Sequence, residues 1–254
     1  MMGLWDAYLR TFIALNSLPD SYTHCSVAKI DPLTVVTIDP DRLQYIVEGS
    51  VYPEQTRHAN SFPMPKFQHA GKVTGGNWDA PVHRFDDSTL YQGFKAHFQE
   101  DRPWAETEFF QDVTTYLENG VGMWGCHTRE EFQTRCSTLD ALYESIDSNG
   151  YFSQRQLNRR STPPMEDART TSRTKQVIYD EITACVGRDG RLLFFDGRNR
   201  LAITKLLGLP SIPVWIMVRH PRWQQTREAV AAGDIPIQQL PERLRNHPDL
   251  HGLW

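Results

Sequence analysis

LLFFDGRNRLAITKLLGLPSIPVWIMVRH, from Leu192 to His220, is the stretch that decides the fold. Four apolar residues run into Asp196-Gly197-Arg198-Asn199-Arg200. Leu201, Ile203, Leu206 and Leu207 then recur at helical spacing, and the pattern stops at Gly208. A second apolar run, IPVWIMV, follows; a strand so uniformly apolar belongs in the middle of a sheet. Just upstream, EITACVGRDGRLLFFDG reads as strand, Asp189-Gly190 hairpin turn and strand. Downstream, HPRWQQTREAVAAGD opens a helix with Pro221 in its first turn, and PERLRNHPDLHGLW is a short tail packed on the surface.

The turn at Asp196 to Arg200 has two readings. Strand, glycine turn and helix present unpaired backbone N–H groups and the positive helix end to an anion. Gly197 lets the backbone approach a ligand or adopt positive φ. Arg198 and Arg200 add forked donors suited to phosphate oxygens, and Asn199 offers a donor and an acceptor. Equally, Asp196 caps the helix and the two arginines are solvated. No Walker A loop and no G-x-G-x-x-G occurs here.

Bulk properties narrow the field. The chain has 254 residues, 39% hydrophobic and 23% charged, which suits one large globular domain or two small ones. A net charge of −4 exerts no global pull on nucleic acid or acidic membranes. The four cysteines, Cys25, Cys126, Cys136 and Cys185, form no C-x-x-C pair, and with no secretory leader visible they read as reduced thiols of a cytoplasmic protein. Cys126, His127 and Cys136 match no common zinc spacing. No apolar run approaches the ~20 residues needed to cross a bilayer.

The other elements follow from local signals. Leu4, Trp5, Tyr8, Leu9, Phe12 and Ile13 form one helical face, expected to dock on the chain's own domain. LTVVTIDPDRLQYIV, Leu33 to Val47, reads as strand, turn and strand. From Tyr52 to Trp78 breakers dominate, FPMPKF and TGGNWDAP among them, and here one half is expected to hand over to the other. Helical periodicity covers Leu90–Phe98 and Ala105–Leu117, with Glu106 and Glu108 in the first turns of the second. Thr128 with Glu131 makes a capping box for a helix bearing Phe132, Leu139, Leu142 and Ile146, closed by Gly150. Between Gln154 and Lys175, six basic residues face only Glu166 and Asp167: a solvated loop, a basic lid over an anionic ligand, or a nucleic-acid contact.

Two segments together resemble the ParB/sulfiredoxin-like superfamily. LDALYESIDSNGYFSQRQL, Leu139 to Leu157, is similar to its helix ending in Ser-Ile-x-x-x-Gly before a Gln-containing strand. LLFFDGRNRLAITKLLGLPSIPVWIM is similar to its second box: apolar strand, D-G-x-x-R-hydrophobic, helix, Leu-Gly, Ile-Pro-Val. The resemblance covers roughly residues 124–218. It implies an α+β fold, a ParB/sulfiredoxin-like mixed sheet with flanking helices, with residues 123–254 as the nucleotide-binding domain and 1–122 as an N-terminal accessory or substrate region. It also implies that Gly197, Arg198, Asn199 and Arg200 hold nucleotide phosphates, with Ser153 and Gln154 facing the same pocket. The nucleotide would be ATP or ADP, with CTP a further option. Members of the superfamily often carry histidine where this chain has Asn199, and an amide can bond phosphate but cannot act as an acid.

Within that superfamily a reductase needs a cysteine in the phosphate turn, and none lies between Gly187 and Trp254. A DNA clamp needs a helix-turn-helix module, and only about 36 residues follow Val218. A phosphotransferase acting on a small hydroxylated acceptor fits better; a nucleotide-regulated nucleic-acid binder is the alternative and a non-catalytic nucleotide sensor or scaffold the third. Transfer needs Mg²⁺ and a carboxylate beside the phosphates. Asp180 and Glu181 begin a strand near the turn; Glu181 is the expected base, and Asp196 the expected metal ligand or arginine partner. His220, straight after a strand, is expected at the rim of the same sheet with a catalytic role. Trp78, His83, Arg84, Trp104 and Trp124 are expected to give acceptor specificity.

Overall fold

The computed structural model describes residues 7–8, 11–13, 27–47, 66–80, 83–153, 156 and 181–253. Six strands form one mixed sheet in the order β1-β6-β4-β5-β2, with β3 also paired to β6. The strands are β1 (Val35–Ile38), β2 (Tyr45–Ile46), β3 (Lys72–Val73), β4 (Ile182–Val186), β5 (Leu192–Asp196) and β6 (Ile212–Arg219). β6 is central, as its composition requires: seven of its eight residues are buried. It runs parallel to β4 on one side, while antiparallel β1 and parallel β3 share its other side end to end. β4 and β5 form the expected antiparallel hairpin, and Gly190 takes φ +79° in its turn.

Because the side chains of a strand alternate between faces, the same strands feed two cores. Ile182, Ala184, Val186, Phe194, Val214 and Ile216 join the larger cluster with the helices. Cys185, Leu193, Phe195, Trp215 and Met217 join a second cluster with Trp78, Ala70 and Ile13. Residues 7–8 and 11–13 are helical; Phe12 meets Phe67 edge-on at 5.2 Å and Ile13 joins the second cluster. Tyr8 is exposed, and Leu4, Trp5 and Leu9 of the expected face lie outside the described residues.

The strand–turn–strand reading of residues 33–47 holds, and the two strands pair elsewhere in the sheet rather than with each other. After β1 the chain makes a 3-10 turn at Pro40–Arg42, where Asp39 Oδ1 accepts the Asp41 N–H. It then pairs as β2 with β5, at the opposite edge of the sheet. The expected division between residues 122 and 123 is likewise not a division between cores. β1, β2 and β3 belong to the sheet of β4–β6, and Phe94, Phe109 and Phe132 share one cluster.

The large core is closed by α1 (Thr89–Glu100), α2 (Glu108–Glu118), α3 (Arg129–Asn149) and α4 (Arg198–Leu206). Ser88, Thr107 and Thr128 cap the first three, each accepting a backbone N–H from the first turn. α2 starts later than its periodicity suggests, because Trp104–Glu106 form a separate 3-10 turn. In the capping box of α3, Glu131 Oε2 accepts the His127 N–H rather than that of Thr128. An edge-on aromatic stack runs through Trp104, Phe94, Phe109 and Phe132. Gly93 is needed where α1 meets α2, since any Cβ there would overlap the Phe109 side chain. α5 (Pro221–Ala231) and α6 (Glu242–Arg245) lead into the C-terminal tail. Among the described residues no helix is long and apolar enough to cross a membrane.

Candidate functional site

Gly197 is the geometric centre of the turn. It is left-handed at φ +94° and serves as N-cap of α4, with no side chain capping the helix. The capping role foreseen for Asp196 is therefore not the one it plays. Its Oδ1 accepts the Gly197 N–H at 2.7 Å, and its Oδ2 meets the ammonium of Lys66 at 2.6 Å. A Cβ on residue 197 would lie 3.0 Å from Ile182 Cα, so the start of β4 presses directly on the turn. The same Cβ would sit 3.5 Å from Arg200 Nη2, which places the Arg200 guanidinium over the glycine.

Lys66 is only 1% exposed and stands in a 3-10 turn (Lys66–Gln68). Burial pushes the Asp196 carboxyl up, but the Lys66 charge and hydrogen bond, the Gly197 N–H and Arg198 outweigh it and hold it below the usual carboxylate range. The roles expected for Asp196 are metal ligand or arginine partner; the side chain it pairs with is that of Lys66. Among the described residues no group of three His, Cys, Asp or Glu side chains could hold a metal. Asn199 is 8% exposed in the first turn of α4, and its side-chain Oδ1 has no hydrogen-bond partner among the described residues. The two ends of an amide are assigned from their surroundings, so Asn199 offers either an acceptor or, flipped, a donor beside Gly197.

Glu181 is 1% exposed and immediately precedes β4, so it abuts the turn through Ile182. Arg198 reaches away from the glycine: its guanidinium lies over the Trp124 ring, 5.2 Å from the centroid. Trp124 sits at φ +58° and Gly125 at +72° in a two-residue turn. Met123 and Cys126 close that turn by exchanging backbone hydrogen bonds of 3.0 and 2.8 Å. Turns of this hand take Asn, Asp or Gly at the tryptophan's position, and a bulky residue in the left-handed region costs about 1–2 kcal/mol. Beside the turn, α3 lines a recess of about 510 Å³ with Glu131, Thr134, Arg135 and Thr138.

His220 does not share this site. β4 and β6 are parallel and β5 runs against them, so Asp196 ends β5 opposite Thr183 while His220 follows Arg219, opposite Val186. The two lie at opposite ends of the sheet. There His220 caps α5: Nδ1 accepts the Arg222 N–H at 3.2 Å, leaving Nε2 to donate toward the Gly76 carbonyl at 3.4 Å. That end is tied together structurally. Arg188 clasps Asp79, Arg219 and Trp223 donate to the buried Asp249, and His247 Nε2 donates to Gly190 O at 2.8 Å.

The remaining expectations divide. Ser153 is engaged locally, its hydroxyl and N–H both donating to Gln156 Oε1. Gln154, Asp180 and the six basic residues between Gln154 and Lys175 lie outside the described residues. Trp78 and Trp104 are buried; Trp78 Nε1 donates to Thr74 O and Trp104 Nε1 to Asp140, so neither lines the recess. Lys66 was missed: its only sequence signal is a lone cation in FPMPKF, between Pro65 and Phe67, where local pattern shows a breaker and not a buried charge. Comparison with family models, with curated proteins and with solved structures finds no match to this chain.

Proposed function

We propose that this chain binds a nucleotide, ATP or ADP with CTP as a further option, by its phosphates at the N-terminus of α4, and transfers a phosphoryl group to a small hydroxylated acceptor. The observation that carries the reading is the left-handed Gly197 opening an uncapped helix beneath the Arg200 guanidinium. Lys66, buried one residue away, and the Asn199 amide complete a donor-rich cradle. Arg200, over the glycine, supplies the positive charge that Lys66 spends on Asp196, and in this reading Arg198 turns from the Trp124 ring to join it when a phosphate binds. The resemblance of residues 139–157 and 192–217 to the ParB/sulfiredoxin-like superfamily supports the nucleotide class.

Transfer rests on Glu181, since Asp196 is held by Lys66 and His220 is at the far end. In this reading the Glu181 carboxylate takes a proton from an acceptor hydroxyl while the cradle stabilises the leaving phosphates. Mg²⁺ in this reading rides chiefly on the phosphate oxygens, as that ion commonly does.

Thermal shift with ATP, ADP and CTP, with and without Mg²⁺, tests the binding. At least one nucleotide should raise the melting temperature, and Arg198→Ala/Arg200→Ala should abolish the rise. At a hundredfold excess over Kd the stabilisation amounts to about 2.7 kcal/mol. No shift from any nucleotide refutes the reading. Nucleotide consumption that depends on an added polyol and vanishes in Glu181→Gln would establish the transfer step.

A further inference from the structure

We infer that the recess between the Met123–Cys126 turn and α3 is a second ligand subsite, built for an uncharged polyhydroxylated molecule of the sugar or cyclitol class, and that Arg198 joins it to the phosphate turn. Its role as the acceptor subsite rests on the phosphate reading above; its capacity to bind rests on its own chemistry.

The size is right: about 510 Å³ falls within the range of small-molecule sites. The lining is acceptor-rich. Thr134 Oγ1 already donates to Glu130 O and Thr138 Oγ1 to Thr134 O, so both hydroxyls present lone pairs outward. Glu131 Oε2 accepts the His127 N–H and, as a carboxylate, has further lone pairs to offer. Glu131 and Arg135 carry opposite charges, so the α3 wall is neutral, and Arg198 adds a positive charge only at the Trp124 lip. Along that wall the threonine and Glu131 lone pairs and the Arg135 donors together suit the hydroxyls of a polyol, each of which both donates and accepts.

Trp124 is the second, independent sign. The backbone holds a tryptophan at φ +58° where Asn, Asp or Gly would be relaxed, and strain of this kind collects at functional sites. The result is an indole on the lip of the recess, an amphipathic ring suited to the C–H face of a sugar. The Arg198 guanidinium rests on that ring from the phosphate side, so one side chain touches both the helix N-terminus and the recess. A phosphate that draws Arg198 toward α4 uncovers the indole, and the two ligands then bind with positive coupling.

Saturation-transfer NMR tests this on the whole chain, with D-glucose, myo-inositol and sorbitol as probes, alone and with ADP. At least one probe should give a signal in the wild type. Trp124→Gly, which relaxes the backbone and removes the ring together with its packing on Phe109 and Phe132, should weaken it at least fivefold, and Thr138→Val should weaken it too, each with the fold intact by circular dichroism. Both variants should keep the thermal shift with nucleotide. Silence from every probe, or signals unchanged in Trp124→Gly, overturns the inference. Loss of the nucleotide shift in Trp124→Gly also overturns it, because the recess then holds the nucleoside. A polyol signal in a protein that no nucleotide stabilises keeps the subsite and removes its acceptor role.

Discussion

Lys66→Met should destabilise the protein through a carboxylate rather than through the lysine's own packing. The ammonium and Asp196 Oδ2 are 2.6 Å apart, with side-chain exposures of 1% and 39%. At an effective dielectric constant near 20 the gross attraction is about 6 kcal/mol. Desolvation of Lys66 consumes much of it, and water reaching Asp196 screens the rest, so the loss in Lys66→Met should be about 2 kcal/mol. Asp196→Asn strands the buried ammonium instead, and should cost more, about 3–5 kcal/mol. The double variant should recover part of that, giving a coupling of about 2 kcal/mol in a denaturant-unfolding cycle. The pH dependence has a definite sign. Burial raises the Asp196 carboxyl, yet Lys66 and the Gly197 N–H bring it below its ordinary value, so the folded state favours the ionised form. Its contribution is complete above the unfolded carboxylate pKa and disappears as pH falls through the lowered one. The gap between wild type and Lys66→Met should therefore close on acidification from about pH 5 downward. Additive single-variant effects, or a gap independent of pH, would refute the reasoning.

Two further outcomes follow from the same geometry. Gly197→Ala should cost about 2–4 kcal/mol in denaturant unfolding, combining strain at φ +94° with a Cβ that meets the Ile182 backbone at 3.0 Å, and should abolish the nucleotide shift. A loss below 1 kcal/mol with binding retained would show that the turn relaxes freely. His247 is pushed down to about 4, chiefly by burial, so its neutral form is the folded one. Stability from this residue is complete above about pH 6.5 and falls by about 3 kcal/mol as pH drops toward 4. His247→Gln should flatten that part of the stability profile; an unchanged slope would assign it to other groups.

Much of the fold was legible because its signals are local. Asp189-Gly190 announces a hairpin, Thr128 and Gly150 bracket α3, and IPVWIMV has the uniform apolar character of a strand covered on both faces. What sequence cannot carry is pairing between distant strands. β1 and β2 are four and two residues long, and their places at opposite edges depend on partners more than 140 residues away. A short strand with so little pattern of its own takes whichever neighbour completes the sheet.

The same limit governs the candidate site. Gathering of site residues at the carboxyl ends of strands is a rule of parallel sheets. Here β5 runs antiparallel to β4, so the carboxyl end of β5 and the carboxyl end of β6 point in opposite directions. Asp196 and His220 each follow an apolar run, and their local sequences look equivalent. Strand direction separates them: one enters a glycine turn with a buried lysine, and the other caps a helix within a structural clasp. Lys66 is the converse case. Nothing near it in sequence calls for a charge, because what holds it is a carboxylate 130 residues downstream. A buried cation is tolerated only where such a partner exists, so the ion pair and the turn belong to one arrangement. For that reason, substitutions at Lys66 and at Gly197 should affect binding together, whereas substitutions at His220 should leave it untouched.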